Sequence, residues 1–348
     1  MEITVPSLLR IKPDALHKIG KYLRGESFMN VALYYGEGIK ELFESTIRIS
    51  LETADVKVVH EEVASTNDIQ TIFASSLRLP AKLDAVVAIG GGKVIDFCKY
   101  IAVLRQIPIL SVPTLVSNDG FCSPFSSLVV TGQRRTVKTV IPDGVILDTN
   151  ILMHSPPRFM FSGIGDLFCK YTSVYDWKLA FKRKGESVND FAAVICRNAA
   201  DTFLYYPHKD FSNLEYLRVI ASSLLMSGVA MEIAQSSRPA SGSEHLISHA
   251  YDRYASNPSL HGLQVGVASY AVSYLQEETH GVLRACIEQS GFLEFMSNNP
   301  LSKEDFKEAI KRAPAIKEDY YTVLSERDAI ERLLEFVERD ELMRRMVS

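Results

Sequence analysis

The sequence predicts an N-terminal α/β domain built on a parallel sheet, followed by an all-helical domain. Three observations carry this. Over the first 150 residues, short apolar runs alternate with segments of helical periodicity, and the runs are apolar at nearly every position, as in strands buried on both faces. Near Phe125 the texture changes to two short β-rich runs joined by a polar turn. After Asp148 the pattern is helical to the end, broken at Pro156-Pro157, Pro207, Pro239, Pro258, Pro300 and Pro314. Residues 1–154 are expected to form the first domain and 155–348 the second, with the boundary near His154–Pro157 and a site in the cleft between them.

The elements follow in order. Asn30–Tyr35 reads as a buried strand ending at Gly36-Glu37-Gly38, and Ile39, Leu42, Phe43, Ile47 and Leu51 then recur at helical spacing. Val56–Val59 is a second strand. Asn67 or Asp68 is placed to cap a helix that runs through Leu79 and stops before Pro80. Asp84–Ile89 is a strand, Gly90-Gly91-Gly92 a turn, and a helix follows to Leu104. Ile107–Val112 is the next strand. Phe125–Val130 and Thr136–Ile141 form a hairpin around Thr131–Arg135, and Gly144–Leu147 is the last strand.

Composition narrows the function classes. Of 348 residues, 47% are hydrophobic and 23% charged, ordinary for a domain pair with sizeable cores. The net charge of −4, without any Lys/Arg-rich block, argues against nucleic acid as the main partner. The first residues, Met1-Glu2-Ile3-Thr4-Val5-Pro6, lack the basic and apolar regions of a signal peptide. The longest charge-free apolar helix candidate, Val219–Met231, is too short for a bilayer, so no membrane insertion is expected. Five widely spaced cysteines with no CxxC suit a reducing cytoplasm.

Two loops and one cluster carry chemistry. Val86–Ile89 followed by Gly90-Gly91-Gly92-Lys93 and a helix start is a strand–glycine–helix turn, where backbone N–H groups attract a pyrophosphate, although the spacing is not GxGxxG. Gly36 could lie at the ribose end of the same ligand. The segment from Ser111 to Ser123, containing Pro113-Thr114, Ser117, Asn118 and Asp119, lies at the carboxyl end of a strand, where open α/β sheets bind ligands. In the helical half, Gly163-Ile164-Gly165-Asp166, Ser241-Gly242-Ser243-Glu244-His245-Leu246-Ile247-Ser248-His249 and His261-Gly262 gather a carboxylate and imidazoles. His245 and His249 share a helix face without forming HExxH. One carboxylate with two imidazoles suits Zn²⁺ or a similar divalent ion with open positions; packed or capping histidines are the other reading.

These motifs, in this order, resemble the glycerol dehydrogenase, iron-containing alcohol dehydrogenase and dehydroquinate synthase superfamily. Asp166 to Ala180 and Ser237-Arg238-Pro239-Ala240-Ser241-Gly242-Ser243-Glu244-His245 look most like the NAD(P)-dependent sn-glycerol-1-phosphate dehydrogenases. The resemblance covers about residues 20–270 and implies a Rossmann-like domain with a dehydroquinate synthase-like helical domain. It implies Asp166, His245 and His261 as metal ligands, and Gly91, Gly92, Lys93 and Asp96 around the cofactor phosphates. Thr114, Ser117 and Ser123 would contact the cofactor, Asp119 would face nicotinamide and substrate, and His249 would serve as a substrate or proton-relay contact. Iron enzymes often place a fourth ligand, His, where this chain has Lys170. The departure fits a three-ligand site, with zinc favoured over nickel or iron, beside a cation for an anionic substrate; an ion pair with Asp166 is the alternative for Lys170. Lys138 and Arg238 are further candidate cations.

The implied reaction is hydride transfer between NAD or NADP and the C2 carbonyl of dihydroxyacetone phosphate, in a cytoplasmic homo-oligomer that takes a small triose phosphate or polyol. The rivals are a glycerol dehydrogenase acting on unphosphorylated substrate, a dehydroquinate synthase-like cyclase, and a cofactor-binding protein without catalysis.

Overall fold

The computed structural model describes residues 3–207, 209–317 and 319–348. The chain divides into two compact units: one runs through Ser155 and adds Asp210–Glu232, the other comprises Pro156–Lys209 and Ile233–Ser348. A single cut at 154/155 therefore differs from the observed units by the segment Asp210–Glu232.

The first unit is a six-stranded parallel sheet. Its strands are β1 (Leu8–Lys12), β2 (Asn30–Gly36), β3 (Lys57–Ala64), β4 (Ala85–Gly90), β5 (Ile109–Pro113) and, after the hairpin β6 (Phe125–Val130) and β7 (Gln133–Lys138), β8 (Gly144–Asp148). The order is β1-β8-β5-β4-β2-β3. Every residue of β4, β5 and β8 is buried, as their predominantly apolar runs predict. Helices α1 (Ile19–Gly25), α2 (Lys40–Thr53), α3 (Ile69–Arg78) and α4 (Gly92–Arg105) connect the first strands. Asp68 caps α3 as expected, its carboxylate accepting from the N–H groups of Gln70 and Thr71.

Three expectations change. The edge strand β1, pairing with β8, was not foreseen. The hairpin turns on Thr131-Gly132 alone, both with positive φ (49° and 76°), so β7 starts at Gln133 and not at Thr136. The apolar helix is also longer than Val219–Met231: α8, after α5 (Thr149–Met153), α6 (Pro157–Lys184) and α7 (Asp190–Leu204), spans Leu214–Ala234. By length and composition it could cross a membrane, with mean hydropathy 1.5, yet 67% of that apolar window is buried. A buried core helix explains the apolarity.

The second unit is helical: α6, α7, α9 (Ser243–Tyr254), α10 (His261–Ser273), α11 (His280–Gln289), α12 (Phe292–Asn298), α13 (Lys303–Arg312), α14 (Ala329–Arg339) and α15 (Met343–Met346). The 28-residue α6 is buried along most of its length and packs closely on α10. Glycines set that crossing. A Cβ on Gly165 would lie 2.0 Å from the Gly262 carbonyl oxygen, and one on Gly262 would lie 1.9 Å from that of Ser162. Backbone meets backbone there, which only glycine permits.

Candidate active site

In the first unit, β2 is flanked by β3 on one side and β4 on the other, so the connections reverse direction between β2 and β4. Ligands of open α/β sheets bind at such a switch point, beyond the strands' carboxyl ends. Gly36 and Gly90 end these two strands. Gly90 has φ +143°, and a Cβ there would lie 2.9 Å from Val94 Cγ1 and 3.2 Å from Gly36 N, so this strand end requires glycine, whereas a Cβ on Gly36 would make only ordinary contacts, the nearest at 3.4 Å. Gly91 and Gly92 differ: a Cβ on Gly91 would meet only Leu115 Cδ1 at 3.5 Å, and one on Gly92 nothing within 4 Å. The fold does not require glycine at these two positions. They open the 14-residue helix α4, whose first N–H groups are available to an anion.

The neighbouring expected residues divide. The Thr114 hydroxyl is buried without a hydrogen-bond partner, as a group awaiting a ligand would be. Ser117 is half-buried in the same loop. Lys93 Nζ donates to Glu37 Oε2 at 3.3 Å and to the Ser65 carbonyl at 3.1 Å, tying α4 to the ends of β2 and β3. The Asp96 carboxylate accepts from Ser127 N–H at 3.1 Å and lies 3.3 Å from Lys99 Nζ, so it anchors α4 to the hairpin. The Ser123 hydroxyl is bonded to the Phe125 backbone. These bonds give Asp96 and Ser123 loop-shaping work.

Asp119 starts a short 3₁₀ turn, with Asn118 accepting from Gly120 N–H at 2.9 Å. Its Oδ2 accepts from the buried Ser227 hydroxyl of α8 at 2.7 Å. One residue on, a Cβ at Gly228 would lie 1.9 Å from the Cys122 carbonyl oxygen, so α8 presses directly on the loop's backbone. From inside, fully buried Lys99 donates to the carbonyls of Gly120 (2.9 Å), Ser123 (3.0 Å) and Phe125. Burial pulls its ammonium below the usual lysine range. Neither Lys99 nor Ser227 stood out in the sequence. Both act across long chain separations, and a lone Lys or Ser in a helical pattern carries no signal of it.

In the second unit, Asp166 (α6), His245 (α9) and His261 (first residue of α10) each place a ligand atom within 4.8 Å of the other two. Asp166 is 1% exposed and its Oδ1 lies 3.8 Å from His245 Nε2. His245 Nδ1 lies 2.9 Å from Glu244 Oε1; a carboxylate only accepts there, so Nδ1 carries a proton, and in the neutral ring Nε2 keeps its lone pair. Glu244 is itself fixed by Gly242 N–H at 2.6 Å and the Thr172 hydroxyl at 2.8 Å. Cys169 forms a second close group with Glu244 and His245, and its thiol is bonded to the carbonyls of Asp166 and Ala240. The donor chemistry, one carboxylate and two imidazoles, fits a divalent metal. His249 joins the cluster, its ring 5.8 Å from that of His261 and 6.1 Å from that of His245.

Lys170 is fully buried, with Nζ 3.4 Å from Asp166 Oδ2. Arg238 does not serve as a free cation. It is 1% exposed, paired with Glu186, bonded to the Tyr321 carbonyl at 2.9 Å and stacked 3.5 Å over Tyr320. Lys138, at the end of β7, is exposed. The last 75 residues, only generically helical in sequence, brace the site. Val323 N–H donates to Asp176 at 2.8 Å, whose other oxygen accepts from Ser243 N–H at the start of α9 (2.7 Å), and Tyr320 donates to the Ser241 carbonyl. Burial, with the Glu244 charge adding to it, pushes the Asp176 carboxyl up to about 7.

Comparison with known proteins agrees with this architecture. Residues 10–156 match the family described as iron-containing alcohol dehydrogenase. A glycerol dehydrogenase from Schizosaccharomyces pombe superposes with TM-score 0.76 at 18% identity, covering 97% of this chain and 91% of that one. A probable glycerol dehydrogenase from Sinorhizobium meliloti also gives 0.76, covering 98% and 99%. These likenesses define the fold class. In sequence, a glycerol-1-phosphate dehydrogenase [NAD(P)+] from Hyperthermus butylicus is 36% identical over 298 residues, covering 85% of this chain and 83% of the relative. Its counterpart from Aeropyrum pernix is 31% identical over 332 residues, 93% of each chain. The chain belongs to the glycerol-1-phosphate dehydrogenase family.

Proposed function

We propose that the protein is an NAD(P)-dependent oxidoreductase that transfers a hydride to C2 of dihydroxyacetone phosphate, giving sn-glycerol 1-phosphate, and runs the reverse oxidation. The observation that carries this is the Asp166–His245–His261 donor set in a chain whose relatives bear that activity in their names. Asp166, His245 and His261 would hold one divalent ion, zinc in the first place, with nickel and iron as alternatives. Bound there, the ion supplies Lewis-acid polarisation of the C2 oxygen, and the nicotinamide supplies the hydride.

The protein's own groups supply position and field. The N–H groups at Gly91 and Gly92 receive the pyrophosphate of NAD or NADP, and the unpartnered Thr114 hydroxyl bonds the cofactor. Asp119, held by Ser227, orients nicotinamide and substrate hydroxyls. His249 returns a proton to the C2 oxygen in reduction and accepts it in oxidation. Lys170 offsets the charge of Asp166 and receives the substrate phosphate, the role that Arg238 is too engaged to share.

The test is a panel of dihydroxyacetone phosphate, dihydroxyacetone and glyceraldehyde 3-phosphate with NADH and NADPH. A preference of about 100-fold in kcat/KM for dihydroxyacetone phosphate over dihydroxyacetone is expected from one or two charge-assisted contacts. Lys170→Ala erases much of it, lowering kcat/KM for the phosphorylated ketone far more than for the free one. Equal rates for the two ketones overturn the phosphate assignment and leave a glycerol dehydrogenase. The cyclase alternative would make a carbocycle without net NADH consumption.

A further inference from the structure

His261 is held differently from His245. Its Nδ1 lies 3.1 Å from the hydroxyl of Ser248, a fully buried residue of α9. That hydroxyl lies 2.8 Å from Gln264 Oε1, and the Gln264 amide nitrogen lies 3.0 Å from Asp252 Oδ1 and 2.9 Å from the Ser259 carbonyl. Proton accounting along this chain has one consistent solution. Asp252 and the Ser259 carbonyl only accept, so the Gln264 NH₂ faces them and its oxygen faces Ser248. The single Ser248 proton therefore goes to Gln264 Oε1. Ser248 then presents a lone pair to His261, so the imidazole proton sits on Nδ1. In the neutral ring Nε2 then keeps its lone pair, the form a metal requires.

We propose that Ser248, Gln264 and Asp252 form a positioning relay that locks the tautomer and ring orientation of His261. The relay rests on the metal-centre reading of Asp166, His245 and His261. It links two turns of α9, through Ser248 and Asp252, to the first turn of α10, so it also fixes the spacing of the helices that carry two of the three ligands. His245 gets the same service from one charged group, Glu244; His261 gets it from a neutral hydroxyl and amide ending on a half-buried carboxylate.

Two measurements on the full chain test this. In the metal-free protein, ¹⁵N shifts of the His261 ring should show a protonated Nδ1 and a bare Nε2, and Ser248→Ala should mix the two tautomers. In zinc titrations against a chromophoric chelator, Ser248→Ala should bind about 10–100-fold more weakly. Ser248→Thr, which keeps the hydroxyl, should restore most of the affinity, and Asp252→Ala should lose a smaller part. His261→Ala is the reference for a missing ligand. Weak zinc binding in His261→Ala with unchanged binding in Ser248→Ala overturns the relay alone. Unchanged zinc binding in His261→Ala overturns the metal centre and the relay with it. If Ser248→Ala does not fold, a wild-type His261 carrying its proton on Nε2 is by itself sufficient to refute the relay.

Discussion

Gly165→Ala adds one methyl group to the α6–α10 crossing and tests whether that crossing sets the donor geometry. The new Cβ would lie 2.0 Å from the Gly262 carbonyl oxygen, and both partners are helix backbone, which cannot rotate aside. Ordinary contact begins near 3.4 Å, so the helices must part by about 1.4 Å. Phe292 Cε2, 3.0 Å from the same Cβ, blocks a sideways escape. Overpacking costs about 1–3 kcal/mol or more when both partners are backbone, and alanine's helix propensity offsets only about 1 kcal/mol of that, so global stability should fall as well. The donor set should suffer far more. Asp166 follows Gly165 on α6, and His261 precedes Gly262 on α10, so parting the helices separates two ligands directly. Metal–ligand distances tolerate only about 0.2 Å. Zinc titration should therefore show affinity reduced by at least the ~100-fold that a disturbed supporting shell can cost. The control is Gly281→Ala, where nothing lies within 4 Å of the new Cβ. A Gly165→Ala protein that binds zinc like the wild type would refute the argument that the glycine crossing sets the ligand spacing.

Gly91→Val should leave the melting temperature nearly unchanged, because the fold leaves space there, while NADH affinity measured by fluorescence titration falls by at least about tenfold; unchanged affinity would remove the phosphate role from this turn. Lys99→Met leaves three buried carbonyls without their shared donor, so stability should drop by about 3 kcal/mol or more in urea unfolding, with kcat falling as the Asp119 loop loosens; a loop this well held makes a neutral substitution incompatible with the description. Asp176 gives a pH dependence. Its carboxyl is raised from 3.8 to about 7 in the fold, so the native state binds a proton that the unfolded chain releases. This contribution is complete below pH 3.8 and is lost as pH rises through 7, corresponding to about 4 kcal/mol at most. Unfolding free energy should decline from pH 5 to 8 more steeply in the wild type than in Asp176→Asn, and parallel profiles would rule the assignment out.

Much of this was legible in the residues because the relevant signals are local. Buried parallel strands announce themselves as unbroken apolar runs, as Ala85–Gly90 does, and Asp68 reads as a cap because capping is settled within three residues. β1 escaped because Leu8-Leu9-Arg10-Ile11-Lys12 is an edge strand, half-exposed and interrupted by charge. The hairpin shifted because two left-handed residues complete a turn that composition spreads over five. Arg238 differs from its expected role for another reason. A cation's sequence neighbours do not show that Glu186 and Tyr320 already claim it. The same limit hid Ser227, Lys99 and the Ser248–Gln264 pair, whose partners are distant along the chain or are defined by which atom donates.

The return of Asp210–Glu232 to the first unit has a consequence for how the protein is made. A nascent chain that has emerged only as far as Ser155 already contains all six strands, yet it lacks the serine that seats Asp119 and the glycine face that presses on Cys122. The first unit therefore cannot be finished before some 80 further residues have been synthesised. At about 5–20 residues per second, the Asp119 loop waits several seconds on the ribosome for its last supporting helix.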